Sequence, residues 1–363
     1  QEKMSVAISI FLFCYFIFAT WCIYGTFRFL HLGRKSKQSD NTITLTDIAL
    51  IIPFRNEANR IQPLLDQLKS NLPPSLSLIF VDDHSTDQSV SIIKDHLPHA
   101  NILTSQGLGK KKALRTAIDS SERPCVLTWD ADTTFSDGYF DALQVLEDID
   151  LHILPVKFKG NIRQKFLQMD TELAQITNYA ISGYDNPILA SGANLLFKKE
   201  AYYCFYSTDN EHIPSGDDQF LLKAFKENGA KIKLSTDQAL TIFTPCETSL
   251  QSYFHQRVRW FSKTPKVNDI AANKVAAIQF VLHFFWTSLV LTTIFQSDYR
   301  ATWLIISGKL FLGICLSLRY VACRQEIYLL LLIPMYALFF PIYSLIIGIM
   351  SLTLSVNWKE RQI

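Results

Sequence analysis

Charge is scarce in this chain. Lys, Arg, Asp and Glu supply 19% of its 363 residues, and the net charge is only +2. A nucleic-acid-binding domain carries a marked basic excess, so no nucleic-acid partner is expected. With 48% apolar residues the chain is not disordered, and 13 glycines and 13 prolines cannot build a collagen-like repeat. Cysteine is sparse as well. The seven are Cys14, Cys22, Cys125, Cys204, Cys246, Cys315 and Cys323, and none form a C-x-x-C pair. Four lie in or beside very apolar stretches, so they read as small buried hydrophobes in a reducing compartment. No G-x-G-x-x-G follows the first strand-like run, and no G-x-x-x-x-G-K-[ST] occurs. A classical dinucleotide fold and a phosphate-loop ATPase are therefore disfavoured. Internal repeats and low-complexity tracts are also missing. At about 150 residues per domain, the length allows roughly two compact units.

What is present is unevenly spread. Mean hydropathy is +0.13, an average that hides long uncharged runs. Residues 4–27, 275–297 and 327–356 hold 24, 23 and 30 residues without Asp, Glu, Lys or Arg. A helix needs about 20 such residues to cross the hydrocarbon core. A fourth run, 301–318, is broken only by Lys309. Four membrane helices are expected. The first is too long for a signal-peptide core, and no small-x-small site follows it. The chain begins at Gln1 rather than Met, so residues preceding it are expected. Arg28, Arg34, Lys35 and Lys37 follow the first run, and the positive-inside rule places that flank in the cytoplasm. With four spans the C-terminus falls outside, where Lys359 and Arg361 fit the rule poorly. Pro334 and Pro341 permit a kink in the last run.

The expected organisation is a transmembrane helix over 4–30, a cytoplasmic domain over 45–248, an amphipathic interface helix over 249–265 and a membrane region over 275–356 with about three helices. The polar middle alternates strand-like and helix-like segments. Residues 47–53, 76–81, 101–104 and 124–129 read as strands, and 60–72, 89–96 and 110–120 as helices. That alternation predicts an α/β fold, a mostly parallel sheet with helices on both faces. Ligands of such sheets bind at the carboxyl ends of the strands.

Acids collect at those ends. The first strand runs into Pro53-Phe54-Arg55-Asn56-Glu57, the second into Asp82-Asp83, and a later one into Asp130-Ala131-Asp132. An acidic rim holds a bound anion only with a cation, and Asp130 and Asp132, two apart, can aim at one hard cation such as Mg²⁺ or Mn²⁺. A lone D-x-D is also compatible with a solvated turn. Further on, Ser191-Gly192-Ala193-Asn194 reads as a polar turn, and Ser215-Gly216-Asp217-Asp218 precedes a helix over 219–227. Adjacent acids at a helix start can be caps, or one can act as a general base. Gln256-Arg257-Val258-Arg259-Trp260 lies on a segment whose Leu250, Tyr253, Phe254, Val258 and Phe261 share one helix face. It could lie in a membrane interface, its arginine suited to diphosphate and its tryptophan to stacking.

Taken together, these residues resemble the membrane-bound family 2 glycosyltransferases with a GT-A fold. The resemblance rests on P-F-R-N-E (53–57), V-D-D-H-S-T-D (81–87), G-K-K (109–111), D-A-D (130–132), S-G-A-N (191–194), G-D-D (216–218) and Q-R-V-R-W (256–260), in the family's order. The tail Asn357-Trp358-Lys359-Glu360-Arg361 resembles the W-K-x-R ending of many membrane members. Where the family often shows Asn after G-K-x-x-A-L, this chain has Arg115.

The resemblance implies a nucleotide-diphospho-sugar transferase domain with about four transmembrane helices. It implies a nucleotide-sugar donor, most often a UDP-sugar, inversion at the anomeric carbon, and a lipid or glycan acceptor. Asp82, Asp83, Pro53 and Glu57 would line the nucleotide pocket, with Lys110 beside it. Asp130 and Asp132 would hold Mg²⁺ or Mn²⁺, Asp132 the closer ligand. Asp218 would be the general base, supported by Asp217. Gln256, Arg259 and Trp260 would meet the leaving diphosphate, and Gly192, Asn194 and Trp260 the acceptor side. The implied setting is a lipid bilayer, the bacterial inner membrane, with the catalytic domain cytoplasmic. Four spans are few for an export channel, which favours single sugar addition over processive polysaccharide synthesis. A non-catalytic scaffold is disfavoured by the complete carboxylate set. Sugar, acceptor and oligomeric state stay open.

Overall fold

The computed structural model describes residues 2–35, 42–207, 216–262, 264–353, 357–358 and 361–362. In chain order its elements begin α1 (Glu2–Lys35), β1 (Ile48–Phe54), α2 (Gln62–Asn71), β2 (Ser77–Asp82), α3 (Ser89–His96), β3 (Asn101–Thr104), α4 (Lys110–Ser120), β4 (Cys125–Trp129), β5 (Thr134–Phe135) and α5 (Tyr139–Leu143). There follow β6 (Leu151–Ile153), β7 (Val156–Lys159), α6 (Ile162–Leu167), α7 (Met169–Ser182), β8 (Asn194–Lys198), α8 (Lys199–Phe205), α9 (Asp217–Glu227), β9 (Ile232–Leu234) and β10 (Ile242–Pro245). The chain continues with α10 (Leu250–Phe261), α11 (Thr264–Val267), α12 (Ile270–Phe295), α13 (Tyr299–Arg324) and α14 (Leu329–Thr353). Two compact units form. One holds Gln1–Lys35, Asn161–Leu189 and Glu247–Gln362; the other holds Ser36–Gly160 and Ala190–Cys246.

The second unit is built on a seven-stranded sheet in the order β3-β2-β1-β4-β8-β6-β9. β1 pairs parallel with β2 and β4, and β2 with β3; β8 runs antiparallel to both β4 and β6. All seven residues of β1 are buried, as a central strand covered on both faces requires. Its side chains alternate between two cores. Ile48, Leu50, Ile52 and Phe54 pack with Ile61, Leu64, Leu65 and Leu68 of the α2 region. Ala49 and Ile51 pack with Ala113, Ala117 and Ile118 of α4 and with Leu221, Leu222 and Phe225 of α9. The expected α/β layering is present. The antiparallel β8 is the element that strand–helix alternation could not foresee.

The other unit contains four helices long and apolar enough to cross a membrane: Met4–His31, Ile270–Phe295, Tyr299–Arg324 and Leu329–Ser351. Large apolar side chains such as Phe13, Phe16, Phe284, Phe311 and Leu331 face outward, while Ile8, Phe11, Leu282, Trp286 and Ile305 pack inward. Pro334 and Pro341 lie within α14, which continues through both. A Cβ on Gly183 would stand 1.9 Å from the Gly25 carbonyl oxygen, so α1 and the end of α7 touch backbone to backbone. Helix α7 buries two acids. Asp170 pairs with Arg257 of α10 at 2.5 Å and accepts a hydrogen bond from the Tyr343 hydroxyl of α14 at 2.9 Å. Glu172 accepts from the Tyr320 hydroxyl at 2.5 Å and pairs with Arg324 at 3.2 Å, both on α13.

These contacts correct the expected continuous 45–248 domain. Asn161–Leu189, inside that range, belongs with the long helices, because the faces of α7 are spent on α1, α10, α13 and α14. The helix expected over 249–265 forms as α10, and the residues of its apolar stripe divide between buried and exposed. Tyr253, Val258 and the charged Arg257 are buried, whereas Leu250 and Phe261 are 59% and 41% exposed. Of the W-K-x-R tail, Lys359 and Glu360 lie outside the described residues.

Candidate active site

Because β1, β2 and β4 are parallel, their carboxyl ends share one edge of the sheet. Antiparallel β8 begins at that edge, since Asn194 is paired with Trp129. The turn before β8 therefore meets the segment after β4, and the Thr128 hydroxyl donates to the Gly192 carbonyl at 3.0 Å. Pro53 is buried in β1, opposite Val81 but beyond the last residue that pairs with β4. A residue without an N–H is tolerated where one ladder has ended.

The loops after β1 and β2 are laced together. The Asn56 N–H donates to the Ser85 hydroxyl at 3.1 Å, and the Thr86 N–H donates to Asn56 Oδ1 at 2.8 Å. Asn56 and His84 both adopt left-handed backbone, at φ 53° and 56°. Asp87 accepts from the Ala58 N–H and from the hydroxyl and N–H of Ser89. Burial would raise its carboxyl, but these hydrogen bonds outweigh it and hold it below the usual range. Asp82 is half-buried and accepts from the Ser85 N–H at 2.8 Å. Asp83 is 3% exposed, and its Oδ1 accepts from the Gly109 N–H at 2.7 Å. Of the two acids, Asp82 is the more open.

Gly109, at φ 103°, turns the chain into α4 and makes Lys110 its first residue. The Lys110 ammonium lies 2.6 Å from Asp130 Oδ1 and 3.9 Å from Asp217 Oδ2. Burial opposes its charge, yet Asp130, Asp217 and Asp218 outweigh burial and hold it above the usual lysine range. Gly216, at φ 89°, turns the chain into α9. Asp217 and Asp218 are the first two residues of that helix rather than residues ahead of it. Carboxylates are favoured in a first turn by the helix dipole. Ser215 lies outside the described residues. The Gly192 N–H donates to Asp218 Oδ2 at 3.2 Å. A Cβ on Gly192 would stand 3.1 Å from Asp217 Oδ2 and 3.4 Å from Lys110 Nζ. Asp217 and Asp218 share the wall of one cleft with Gly192, Thr128 and Lys111.

On the other flank Asp132 Oδ2 lies 3.2 Å from Arg60 Nη1, and the same guanidinium pairs with Glu57 at 2.8 Å. Asp130 and Asp132 offer hard oxygen donors. Among the described residues, no group of three or more His, Cys, Asp or Glu is placed to hold a metal alone. Two protein carboxylates with the remaining positions left to phosphate and water suit Mg²⁺ or Mn²⁺.

One expectation needs revision. Asn194 does not face an acceptor. It is fully buried: its amide donates to the carbonyls of Pro155 at 2.8 Å and Leu240 at 2.9 Å, and its Oδ1 accepts from the Tyr139 hydroxyl at 2.6 Å. An amide that satisfies three buried groups is a staple of the fold. Gln256, Arg259 and Trp260 belong to α10 in the other unit. There Gln256 accepts from Arg257, whose guanidinium also lies over the Trp260 ring at 4.5 Å. Sequence reasoning missed Arg60. Its one signal was its place three residues after Glu57, the spacing at which helical ion pairs meet. Sequence reasoning gave Arg257 no role, because nothing in its neighbourhood announces Asp170, 87 residues earlier.

Comparison with known proteins bears on the fold. The family model described as Glycosyl transferase family 2 matches residues 49–205. Poly(ribitol-phosphate) beta-N-acetylglucosaminyltransferase TarS of Staphylococcus aureus (strain MW2) is 26% identical over 203 residues, 53% of this chain and 34% of the relative. The same protein from strain Mu50 matches equally. The chain thus spans about a third of the length of these curated relatives. Mannosyltransferase PcManGT from Pyrobaculum calidifontis, solved in complex with GDP-Man and Mn²⁺, superposes with a TM-score of 0.56 at 15% identity. That likeness covers 97% of this chain and 99% of the other, so it extends to the long helices as well as the GT-A-like sheet.

Proposed function

We propose that this chain, whose residues 49–205 form a family 2 glycosyltransferase domain, moves a sugar from a nucleotide-diphosphate donor to a hydroxyl on a lipid or other membrane-associated acceptor. The observation that carries the reading is the gathering of Asp130, Asp217 and Asp218 around Lys110 at the carboxyl edge of the sheet. Pro53, Glu57, Asp82 and Asp83 flank that edge and would line the nucleotide site, with UDP as the first donor to test. A divalent cation held by Asp132 and Asp130, Mg²⁺ or Mn²⁺, would draw off charge from the departing diphosphate.

Asp218 takes the proton from the acceptor hydroxyl as that oxygen attacks the anomeric carbon. Its Oδ2 is held by the Gly192 N–H, so one oxygen is fixed in direction. The bond to the diphosphate breaks on the opposite face, and the centre inverts in one displacement. Asp217 supports the base by fixing Lys110 between the two acidic pairs. The long apolar helices would anchor the domain to a bilayer, on its cytoplasmic side by the basic flank after α1. Four candidate spans favour single addition over processive synthesis with export.

The test uses the full chain purified in detergent, labelled UDP- and GDP-sugars, Mn²⁺ and a membrane lipid extract, with the product separated by chromatography. A labelled lipid-sized product is expected, and Asp218→Asn should cut its rate by about 10²- to 10⁴-fold while donor binding persists. A long polymer would favour the processive alternative. No transfer from any donor, or full activity in Asp218→Asn, rejects the proposal.

A further inference from the structure

Arg60 has no part in the scheme above, yet its guanidinium touches two residues of the acidic rim. Nη1 lies 3.2 Å from Asp132 Oδ2, and Nη2 lies 2.8 Å from Glu57 Oε2. Glu57 is nearly enclosed, with 8% of its side chain exposed, whereas the Arg60 side chain is 50% exposed. The enclosed acid holds the Nη2 edge of the guanidinium, and the open side gives water access to the Nη1 edge that meets Asp132. Lys110 stands against Asp130 in a comparable way but is only 22% exposed and shared with Asp217. Of the two cations, Arg60 is the more exposed.

We propose that Arg60 is a resident counter-cation that competes with the divalent metal for Asp132. This rests on the donor-site reading above. Acids crowded on one rim repel each other, and a positive group among them lowers that cost while no metal is bound. Arginine suits the part because it stays charged at every working pH and its planar fork can grip two carboxylates. A metal taking the same Asp132 oxygen must first displace the guanidinium. Free protein therefore binds the metal more weakly than its two carboxylates alone would allow. Exchange remains easy because a half-exposed ion pair is worth little.

The experiment is a Mn²⁺ titration of the purified full chain without donor, following loss of the free-ion EPR signal. Arg60→Gln is expected to tighten Mn²⁺ binding by about 2- to 5-fold, the effect of removing one partly exposed ion pair. The gain should vanish in the Asp132→Asn background, because the competition is for that oxygen. Arg60→Lys keeps a charge but loses the fork, and should fall between Arg60→Gln and wild type. It also serves if Arg60→Gln does not fold, since any tightening over wild type then supports the competition and equality overturns it. Unchanged or weaker binding in folded Arg60→Gln, or a gain that survives in Asp132→Asn, overturns the proposal while leaving the donor-site reading intact. If the donor-site reading itself is wrong, wild type binds neither Mn²⁺ nor a nucleotide sugar, and both fall.

Discussion

Gly192→Ala is a sensitive probe of the site. The added Cβ would sit 3.1 Å from Asp217 Oδ2, 3.4 Å from Lys110 Nζ and 3.6 Å from Asp218 Cβ. Carbon and oxygen at van der Waals contact are about 3.5 Å apart, so the Asp217 carboxylate must retreat by a few tenths of an ångström. Lys110 and Asp218 are at or beyond ordinary contact and need move little. Misplacing a reacting group by 1 Å costs about 10²-fold, so a shift of this size should lower kcat by about 3- to 10-fold. Fold stability should hardly change. Gly192 lacks the left-handed backbone seen at Gly109 and Gly216, and replacing glycine at a compatible position gains about 0.4–1 kcal/mol by stiffening the unfolded chain. That offsets the tight contact. Gly192→Val, with two more methyl groups, should lose at least about 10²-fold in kcat. The assay pairs initial rates at saturating donor with thermal unfolding of the same preparation. Wild-type kcat and KM in Gly192→Ala would refute the claim that this glycine makes room for the acids. A rate loss that tracks a collapse in Tm would place the effect in folding instead.

Two other predictions concern the frame around the site. Asn194→Ala leaves the carbonyls of Pro155 and Leu240 and the Tyr139 hydroxyl without their shared partner. At about 1–3 kcal/mol for each stranded buried group, and with partial relaxation, the loss should be roughly 3–5 kcal/mol. It should appear as a lower Tm that saturating donor does not restore; a wild-type Tm would show that the staple is dispensable. His152 is fully buried, and burial pushes its imidazole down to about 4. The unfolded chain takes up that proton near pH 6.5 while the native chain resists it, so stability falls as pH drops from 6.5 toward 4. The loss approaches roughly 3 kcal/mol at the acid end. His152→Gln should flatten this part of the Tm–pH curve, and parallel curves for the two proteins would contradict it.

The catalytic sheet was largely legible before the structure. Buried strands announce themselves as apolar runs, so 47–53 and 124–129 fell on β1 and β4 to within a residue, and acids at strand ends pointed to the edge where Lys110, Asp130 and Asp217 meet. What stayed hidden depended on contacts across long stretches of chain. Residues 191–194 read as a polar turn, which was correct for Gly192. Nothing local distinguished Asn194, whose partners Tyr139, Pro155 and Leu240 lie 55, 39 and 46 residues away. The stretch Asn161–Leu189 looked like part of the polar middle because α7 carries acids and amides. Those groups turned out to face arginine and tyrosine on helices that the chain had not yet reached. The apolar stripe of α10 was read from periodicity, and periodicity cannot register that Asp170 makes Arg257 an inward residue.

That arrangement sets an order for building the protein. Helix α7 leaves the ribosome with Asp170 and Glu172 already in place, two residues apart. Arg257 emerges 87 residues after Asp170, and Tyr343 emerges 173 residues after it. Tyr320 and Arg324 follow Glu172 by 148 and 152 residues. Burying either acid before its partner is made would cost free energy, since a buried charge needs a counter-charge or hydrogen bonds. The sheet of the other unit needs only residues up to Cys246 and can close first. Burial of each carboxylate is thus favoured only once its own partners exist: α10 and α14 for Asp170, and α13 for Glu172.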